Sequence, residues 1–132
     1  MMRSGVLFIS GSRDDARRLS RILDALPLRL DHAESIECAH AKLQRDDYDV
    51  ILTEAALPDG SWLDVLRLAR KFAGGPEVIV TDPRADARFW AEALNLGAYD
   101  LLPQPFYQPE VCRILSNACS RSPVVACHVA AG

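Results

Sequence analysis

The chain has 132 residues, of which 49% are hydrophobic and 25% charged, as is typical of a single globular domain. A formal net charge of −3 disfavours a nucleic-acid surface, because such surfaces usually carry a basic stripe. No apolar run approaches the ~20 residues that span a bilayer, and the N-terminus lacks a signal-peptide pattern, so we expect a cytoplasmic protein.

Strand and helix patterns alternate along the chain. Five short apolar or alternating runs predict strands, in chain order at 6–10, 28–32, 50–54, 77–81 and 99–102. Helical spacing of apolar residues follows each strand, at 14–26, 36–43, 62–72, 89–96 and 109–118. Ser61 is the predicted N-cap of the third helix, and Gly97 the predicted left-handed residue that ends the fourth. Pro58, Asp59 and Gly60 predict a turn.

Five strand–helix repeats with short connections predict an α/β fold. The strands would form one parallel sheet with helices on both faces. Functional groups in such folds lie at the carboxyl ends of the strands. The segment 123–132 is apolar without a clear period, and it is either an extra element or the stub of a linker.

Three segments at the predicted strand ends resemble a known family. They read YDVILTEAALPDG at 48–60, PEVIVTD at 76–82 and GAYDLLPQPF at 97–106. In this order they resemble the receiver domains of response regulators, which act in two-component signalling. The resemblance implies a flavodoxin-like, doubly wound sheet in the order 2-1-3-4-5, with a receiver-like domain at 1–122 and a C-terminal tail at 123–132.

The resemblance also implies where the family's chemistry would lie. In receiver domains, an acidic pair after the first strand helps to hold Mg²⁺, and an aspartate ending the third strand accepts a phosphoryl group. A lysine before a late proline neutralises the phosphoryl oxygens. By resemblance, the acidic pair falls on Ser10 and Gly11, the phospho-acceptor on Glu54, and the lysine on Gln104.

Three further positions follow from the same resemblance. The switch hydroxyl falls on Thr81, which keeps the residue type of the family. The aromatic switch of the last strand falls on Leu101, so the usual rotamer switch is absent from the sequence. The family's cis proline falls on Pro105, and we predict a cis bond between Gln104 and Pro105.

These departures disfavour aspartyl-phosphate chemistry. Ser10 and Gly11 offer no charge to Mg²⁺, and Gln104 cannot offset the charge of a phosphoryl group. Glu54 carries its carboxylate ~1.5 Å further out than aspartate would, and ~1 Å of misplacement can cost on the order of 100-fold in rate. We therefore predict no catalytic residue, no bound metal and no cofactor, with Glu54 exposed near Thr81. Glu54 either mimics a phosphorylated state or remains from a decayed site.

Two other sites are conceivable from the sequence. Asp14, Asp15, Asp59 and Asp82 could rebuild a metal site around Glu54, which would keep the domain phosphorylatable. The favoured interpretation is that Asp14 and Asp15 complement the positive end of the first helix and that Asp82 caps the turn before Pro83. The turn Ser10–Ser12 could cradle an anion, as expected of a small-ligand or nucleotide-binding domain of flavodoxin type, although a tight turn is the simpler interpretation.

The function that the sequence favours is signal transduction by protein–protein contact, without enzymatic activity and without dependence on phosphorylation. By resemblance, the contact surface is built by the fourth helix, the last strand and the fifth helix. The partner would be a signalling protein such as a histidine kinase, an effector domain or a second copy, and not nucleic acid or a membrane. Trp90, Tyr99 and Tyr107 predict an exposed aromatic patch, and such residues are enriched at interfaces.

Overall fold

The computed structural model describes residues 4–72, 74–84 and 86–120. In chain order the strands are Ser4–Ile9 (β1), Leu28–Ala33 (β2), Val50–Glu54 (β3), Ala56–Leu57 (β4), Gly60–Ser61 (β5), Glu77–Asp82 (β6) and Asp100–Pro103 (β7). The helices are Arg13–Leu23 (α1), Ile36–Arg45 (α2), Trp62–Ala69 (α3), Ala87–Leu96 (α4) and Gln108–Ser120 (α5). Each predicted strand and helix is therefore present, with its ends displaced by a few residues.

The five long strands form one parallel sheet in the order β2-β1-β3-β6-β7. Since β4 and β5 pair only with each other, this is the predicted order 2-1-3-4-5 and the predicted flavodoxin-like topology is confirmed. The small antiparallel hairpin was not predicted as strands. It flanks the predicted turn at Pro58, Asp59 and Gly60, and its pairing is only two residues long.

Buried side chains lie on both faces of the sheet because successive strand residues point to opposite sides. Leu7 and Ile9 belong to a cluster that includes residues of α2, α3 and α4. Val6 and Phe8 belong to a second cluster, which includes residues of α1 and α5. The resulting layers place the carboxyl ends of the strands at one edge, where the loops to the helices begin.

The capping residues predicted from the sequence are found at the start of α3 and at the end of α4. Ser61 accepts a hydrogen bond from the amide of Leu63, and the carboxylate of Asp64 accepts one from the amide of Ser61, so the two form a capping box at the start of α3. Gly97 ends α4 with φ of 115°, a left-handed conformation that favours glycine. The capping box thus marks the end of the connection from β3 to α3, and Gly97 marks the start of the connection from α4 to β7.

None of the helices within the described ranges is long and apolar enough to cross a membrane. The predicted tail at 123–132 and the last residues of the predicted domain 1–122 lie outside the described residues. The described ranges comprise the sheet, its five helices and the loops at its carboxyl edge except residue 85.

Candidate functional site

The carboxyl edge of the sheet brings together the polar residues singled out from the sequence. Ser10 and Gly11 follow β1, and Glu54 ends β3 directly opposite Thr81 of β6. Gln104 follows β7, and its side chain reaches Thr81. The five residues thus come from four neighbouring strands and form one candidate site.

The turn between β1 and α1 is held by its own serines. The side chain of Ser10 is buried, and its hydroxyl oxygen lies 3.0 Å from the amide nitrogen of Ser12, from which it accepts a hydrogen bond. The Ser12 hydroxyl in turn accepts from the amide of Asp15 at 3.1 Å and caps α1. On the other side, Nε2 of His32 lies 2.7 Å from the carbonyl oxygen of Ser10. The amides of Ser12 and Asp15 are thus already hydrogen-bonded to the serine side chains of this turn.

Glu54 is bonded to the same turn. The amide of Gly11 donates to Oε1 of Glu54 at 3.0 Å, across 43 residues of sequence. Glu54 is half-buried rather than exposed as predicted, although it does lie beside Thr81. The longer side chain of glutamate is what allows the carboxylate to reach the amide of the neighbouring loop.

Thr81 and Gln104 form the other half of the site. Thr81 is fully buried, and Nε2 of Gln104 donates to its Oγ1 at 3.2 Å. The peptide bond between Gln104 and Pro105 is cis, as the sequence predicted. The site therefore contains two separate hydrogen-bonded pairs, Glu54 with Gly11 and Gln104 with Thr81.

The acidic residues considered for a rebuilt metal site have other partners. Asp59 accepts hydrogen bonds from the amides of Ile36 and Glu37 at 3.0 and 3.1 Å, and these bonds hold the pKa of Asp59 below its usual range. Asp82 accepts from the amide of Arg84 at 2.7 Å. Within the described ranges, no three His, Cys, Asp or Glu residues are grouped so that they could hold a metal ion.

Asp14 and Asp15 lie in the first turn of α1, where their charges complement the positive end of the helix. Asp14 also lies 3.8 Å from the guanidinium of Arg17. Both positions agree with the helix-end interpretation of these two carboxylates.

The anion-cradle interpretation of the Ser10–Ser12 turn requires free amides. The amides of Gly11 and Ser12 are already bonded to Glu54 and Ser10. An anion would have to displace a carboxylate from Gly11 and would then lie beside its negative charge. The geometry therefore disfavours a small-ligand site of this kind.

A groove lies between α4 and α5 on the face that includes β7. It encloses about 470 Å³, and its apolar lining includes Trp90, Leu101, Pro103 and Ile114. Trp90 is 47% exposed, and its Nε1 donates to Oδ1 of Asp100 at 3.3 Å. We call this feature the α4–α5 groove. Leu101, which the sequence resemblance assigned to the aromatic-switch position, is 6% exposed.

The predicted aromatic patch is only partly correct. Trp90 and Tyr107 are exposed, Tyr107 to 66%. Tyr99 instead is half-buried and packs against the core cluster on the α1 and α5 side of the sheet. The amide of Tyr99 donates to the carbonyl of Val78 at 2.7 Å, so the backbone at Tyr99 is bonded to β6.

The fold, the cis bond and the arrangement of the four loops agree with one family. The family described as the response regulator receiver domain matches residues 6–116, most of the chain. This chain belongs to the response-regulator receiver family. The match includes the strand ends that carry Ser10, Gly11, Glu54, Thr81 and Gln104.

Curated relatives support the assignment of the chain to the receiver family. The chain is 32% identical over 115 residues to the transcriptional regulatory protein KdpE of Staphylococcus aureus, and the match covers 83% of this receiver chain and 47% of that protein. It is 28% identical over 105 residues to the response regulator protein PilR of Pseudomonas aeruginosa, covering 80% of this chain and 24% of that protein. The chain thus spans half or less of the length of these two relatives.

Solved structures show the same receiver fold. The signal receiver domain of a putative Luxo repressor protein from Vibrio parahaemolyticus superposes with a TM-score of 0.84 at 21% identity, covering 92% of this chain and 94% of that one. The beryllofluoride-activated NtrC4 receiver domain dimer superposes with a TM-score of 0.80 at 22% identity, covering 89% and 98%.

Sequence reasoning missed the contacts of three residues that shape the receiver site and its surroundings. His32 contacts the Ser10 carbonyl, Asp59 caps α2 from another loop, and Asp100 holds the indole of Trp90. His32 and Asp59 act across 22 or 23 residues of sequence, so periodicity carried no signal for them. Asp100 lies ten residues from Trp90, and this contact also joins two different elements.

Proposed function

We propose that this receiver domain signals by protein–protein contact, without phosphorylation and without enzymatic activity of its own. The observation that carries the proposal is the hydrogen bond between the Glu54 carboxylate and the Gly11 amide. By the sequence resemblance, Glu54 stands at the family's phospho-acceptor position, and this bond engages it with the loop to which the resemblance assigns the acidic pair. A cytoplasmic location is part of the same proposal.

The electrostatics of the site support independence from phosphorylation. Catalysis of phosphoryl transfer depends on cations placed at the developing negative charge. Ser10, Gly11 and Gln104 carry no formal charge, and Glu54 forms none of the ion pairs found among the described residues. Mg²⁺ gives up its waters reluctantly, so a single carboxylate would hold it weakly. The Glu54 carboxylate would repel an incoming phosphodonor, and none of these four positions supplies a positive charge to offset that repulsion.

The direction of the Glu54 side chain suggests what the residue does instead. Its Oε1 accepts from Gly11 on the β1 side, while the hydroxyl of Thr81 accepts from Gln104 on the β6 and β7 side. A mimic of a phosphoryl group would be expected to engage Thr81, which is the family's switch residue. We infer that Glu54 ties β3 to the loop after β1, and that the domain is held in a single state.

The contact surface in this proposal is the face built by α4, β7 and α5. Its support is the exposed indole of Trp90 beside the α4–α5 groove. Large aromatic side chains in a pocket of this kind are typical anchors of protein interfaces. Leu101 has replaced the aromatic switch, so this face would keep one shape rather than two.

The test is whether the domain responds to an acyl-phosphate analogue. Mg²⁺ and beryllofluoride are added to the protein, and the amide NMR signals of Gly11, Thr81 and Trp90 are followed. We expect no saturable shift of any of the three. A saturable shift at Thr81 that spreads to Trp90 would contradict the proposal.

A variant with the family's residues restored serves as the matched control. It carries Ser10→Asp, Gly11→Asp, Glu54→Asp and Gln104→Lys. A side chain at Gly11 has room, since an added Cβ would lie 3.8 Å from the nearest atom, Cγ of Pro58. We expect this variant to shift with Mg²⁺ and beryllofluoride, which would show that the fold still permits the response and that the native residues prevent it.

A further inference from the structure

Negatively charged side chains outnumber positively charged ones in the lining of the α4–α5 groove. Asp86, Asp100 and Glu110 contribute three carboxylates, and Arg113 contributes one guanidinium, so the lining is negative by two. Five ion pairs are formed among the described residues, and none of them includes any of these four groups. The charge of the groove is therefore not neutralised by neighbouring side chains in the described part of the chain.

Trp90 adds a second feature that favours a cation. Its indole is 47% exposed, and its Nε1 is bonded to Oδ1 of Asp100, so the ring is anchored beside a carboxylate. Asp100 also accepts from the amide of Leu101 at 2.7 Å through the same oxygen. A guanidinium or ammonium near the face of an exposed indole is attracted by the ring, and a carboxylate at its edge adds to that attraction.

The apolar part of the lining sets the rest of the ligand's chemistry. Leu101, Pro103 and Ile114 meet between the two helices, in a volume of about 470 Å³. Sites of several hundred cubic ångströms accommodate a few side chains. An aliphatic or aromatic side chain would fill the apolar part, while basic residues beside it would meet the carboxylates.

We propose that the α4–α5 groove binds a basic segment of a partner protein, one that inserts an apolar side chain between flanking Lys or Arg residues. This inference rests on the proposed function, because it names the partner of the proposed contact face. Charge complementarity of this kind steers encounter and excludes wrong partners.

The same charges disfavour a second copy of this chain as the occupant. A two-fold interface brings the same patch of both protomers together. Here it would oppose six carboxylates with two guanidinium groups, counted from the groove lining of each copy. Like charges brought together across an interface are costly. Nucleic acid and anionic membrane surfaces are disfavoured by the same sign of charge.

The experiment uses two short amphipathic peptides with leucine at the same positions, one with lysine and one with glutamate at the remaining positions. Binding is followed by the emission of Trp90 in the Trp62→Phe variant, which leaves a single tryptophan of the two in the chain. Trp62 is buried beside Phe89, so the substitution could disturb the core. The amide NMR spectrum of the variant is therefore compared with that of the native protein to check that the fold is retained. We expect the lysine peptide to bind and the glutamate peptide to bind at least tenfold more weakly.

Two double variants with the same change in net charge locate the binding. Asp100→Asn with Glu110→Gln alters the groove, whereas Asp24→Asn with Glu37→Gln alters two exposed carboxylates, one directly after α1 and one on α2. We expect the groove variant to weaken lysine-peptide binding roughly tenfold and the control variant by less than about twofold, from the size of exposed ion-pair effects.

Three results would overturn the inference. Equal loss of binding in the two double variants would show attraction to net charge rather than to the groove. Absence of lysine-peptide binding would remove the partner class. Concentration-dependent self-association that Trp90→Ala abolishes would assign the groove to a second copy. None of these results would affect the beryllofluoride test, so failure of this inference and failure of the proposed function can be told apart.

Discussion

The hydrogen bond from Gly11 to Glu54 can be tested by shortening, neutralising or removing one side chain. Glu54→Ala removes the acceptor, Glu54→Asp withdraws it by ~1.5 Å, one C–C bond, and Glu54→Gln keeps an acceptor oxygen at nearly the same place without the charge. If the bond at 3.0 Å ties β3 to the loop after β1, the alanine and aspartate variants should behave alike and differ from glutamine.

The magnitude depends on the exposure of the two groups. Gly11 is exposed and Glu54 half-buried, so water can replace part of the lost bond. A typical hydrogen bond contributes about 0.5–1.5 kcal/mol net, and we expect Glu54→Ala and Glu54→Asp to lose about 1 kcal/mol of unfolding free energy. For a domain near this size, that lowers Tm by roughly 4 °C. Glu54→Gln should lose less than about 0.5 kcal/mol, because its carbonyl oxygen still accepts from the amide.

The assay is urea unfolding monitored by fluorescence, with amide hydrogen exchange at Gly11 as a local readout. The expected order of stability places native protein and Glu54→Gln together, above Glu54→Asp and Glu54→Ala. A stable Glu54→Asp variant would show that the longer side chain is not needed. Equal destabilisation by glutamine and alanine would show that charge, rather than reach, is what Glu54 contributes.

Three further predictions concern other parts of the fold. Asp59→Ala should cost about 1 kcal/mol at neutral pH, the usual effect of losing a side chain that caps the start of a helix. Because the pKa of Asp59 is lowered in the folded protein, its contribution is present above about pH 4 and is lost as the pH falls through the folded-state pKa, so the urea midpoints of variant and native protein should converge as the pH is lowered below about 4. Tyr48→Phe should lose about 1–2 kcal/mol, since the buried phenol donates to a carboxylate oxygen of Asp31 at 2.6 Å, and equal stability in thermal unfolding would contradict that. Burial raises the pKa of the Cys119 thiol to about 12, whereas Cys38 is exposed, so thiol labelling at pH 8 mapped by mass spectrometry should modify Cys38 in the native protein and Cys119 only after unfolding.

Much of the fold could be predicted from the sequence because buried parallel strands are short apolar runs. Val50–Glu54 and Glu77–Asp82 are of this kind, and both lie within one residue of their predicted ends. The strand order had a different origin, since periodicity does not say which strands are neighbours. It came from the resemblance of the strand-end segments to receiver domains.

The contacts of the site could not be predicted in the same way. Sequence reasoning placed Glu54 at the end of β3, but whether its carboxylate meets Thr81 or Gly11 depends on side-chain rotamers across neighbouring loops. Tyr99 was predicted to be exposed, whereas it lies just before β7, which begins at Asp100, and packs inward. The alternation of a strand's two faces does not fix the direction of a side chain outside the strand.

Independence from phosphorylation is tested most directly by intact mass after incubation with acetyl phosphate and Mg²⁺. The native protein and Glu54→Gln are treated together, beside the variant with the family's four residues restored. We expect no added phosphoryl group on the native protein and a single one on the restored variant. A stable gain of one phosphoryl group by the native protein, dependent on Mg²⁺ and lost in Glu54→Gln, would contradict independence from phosphorylation.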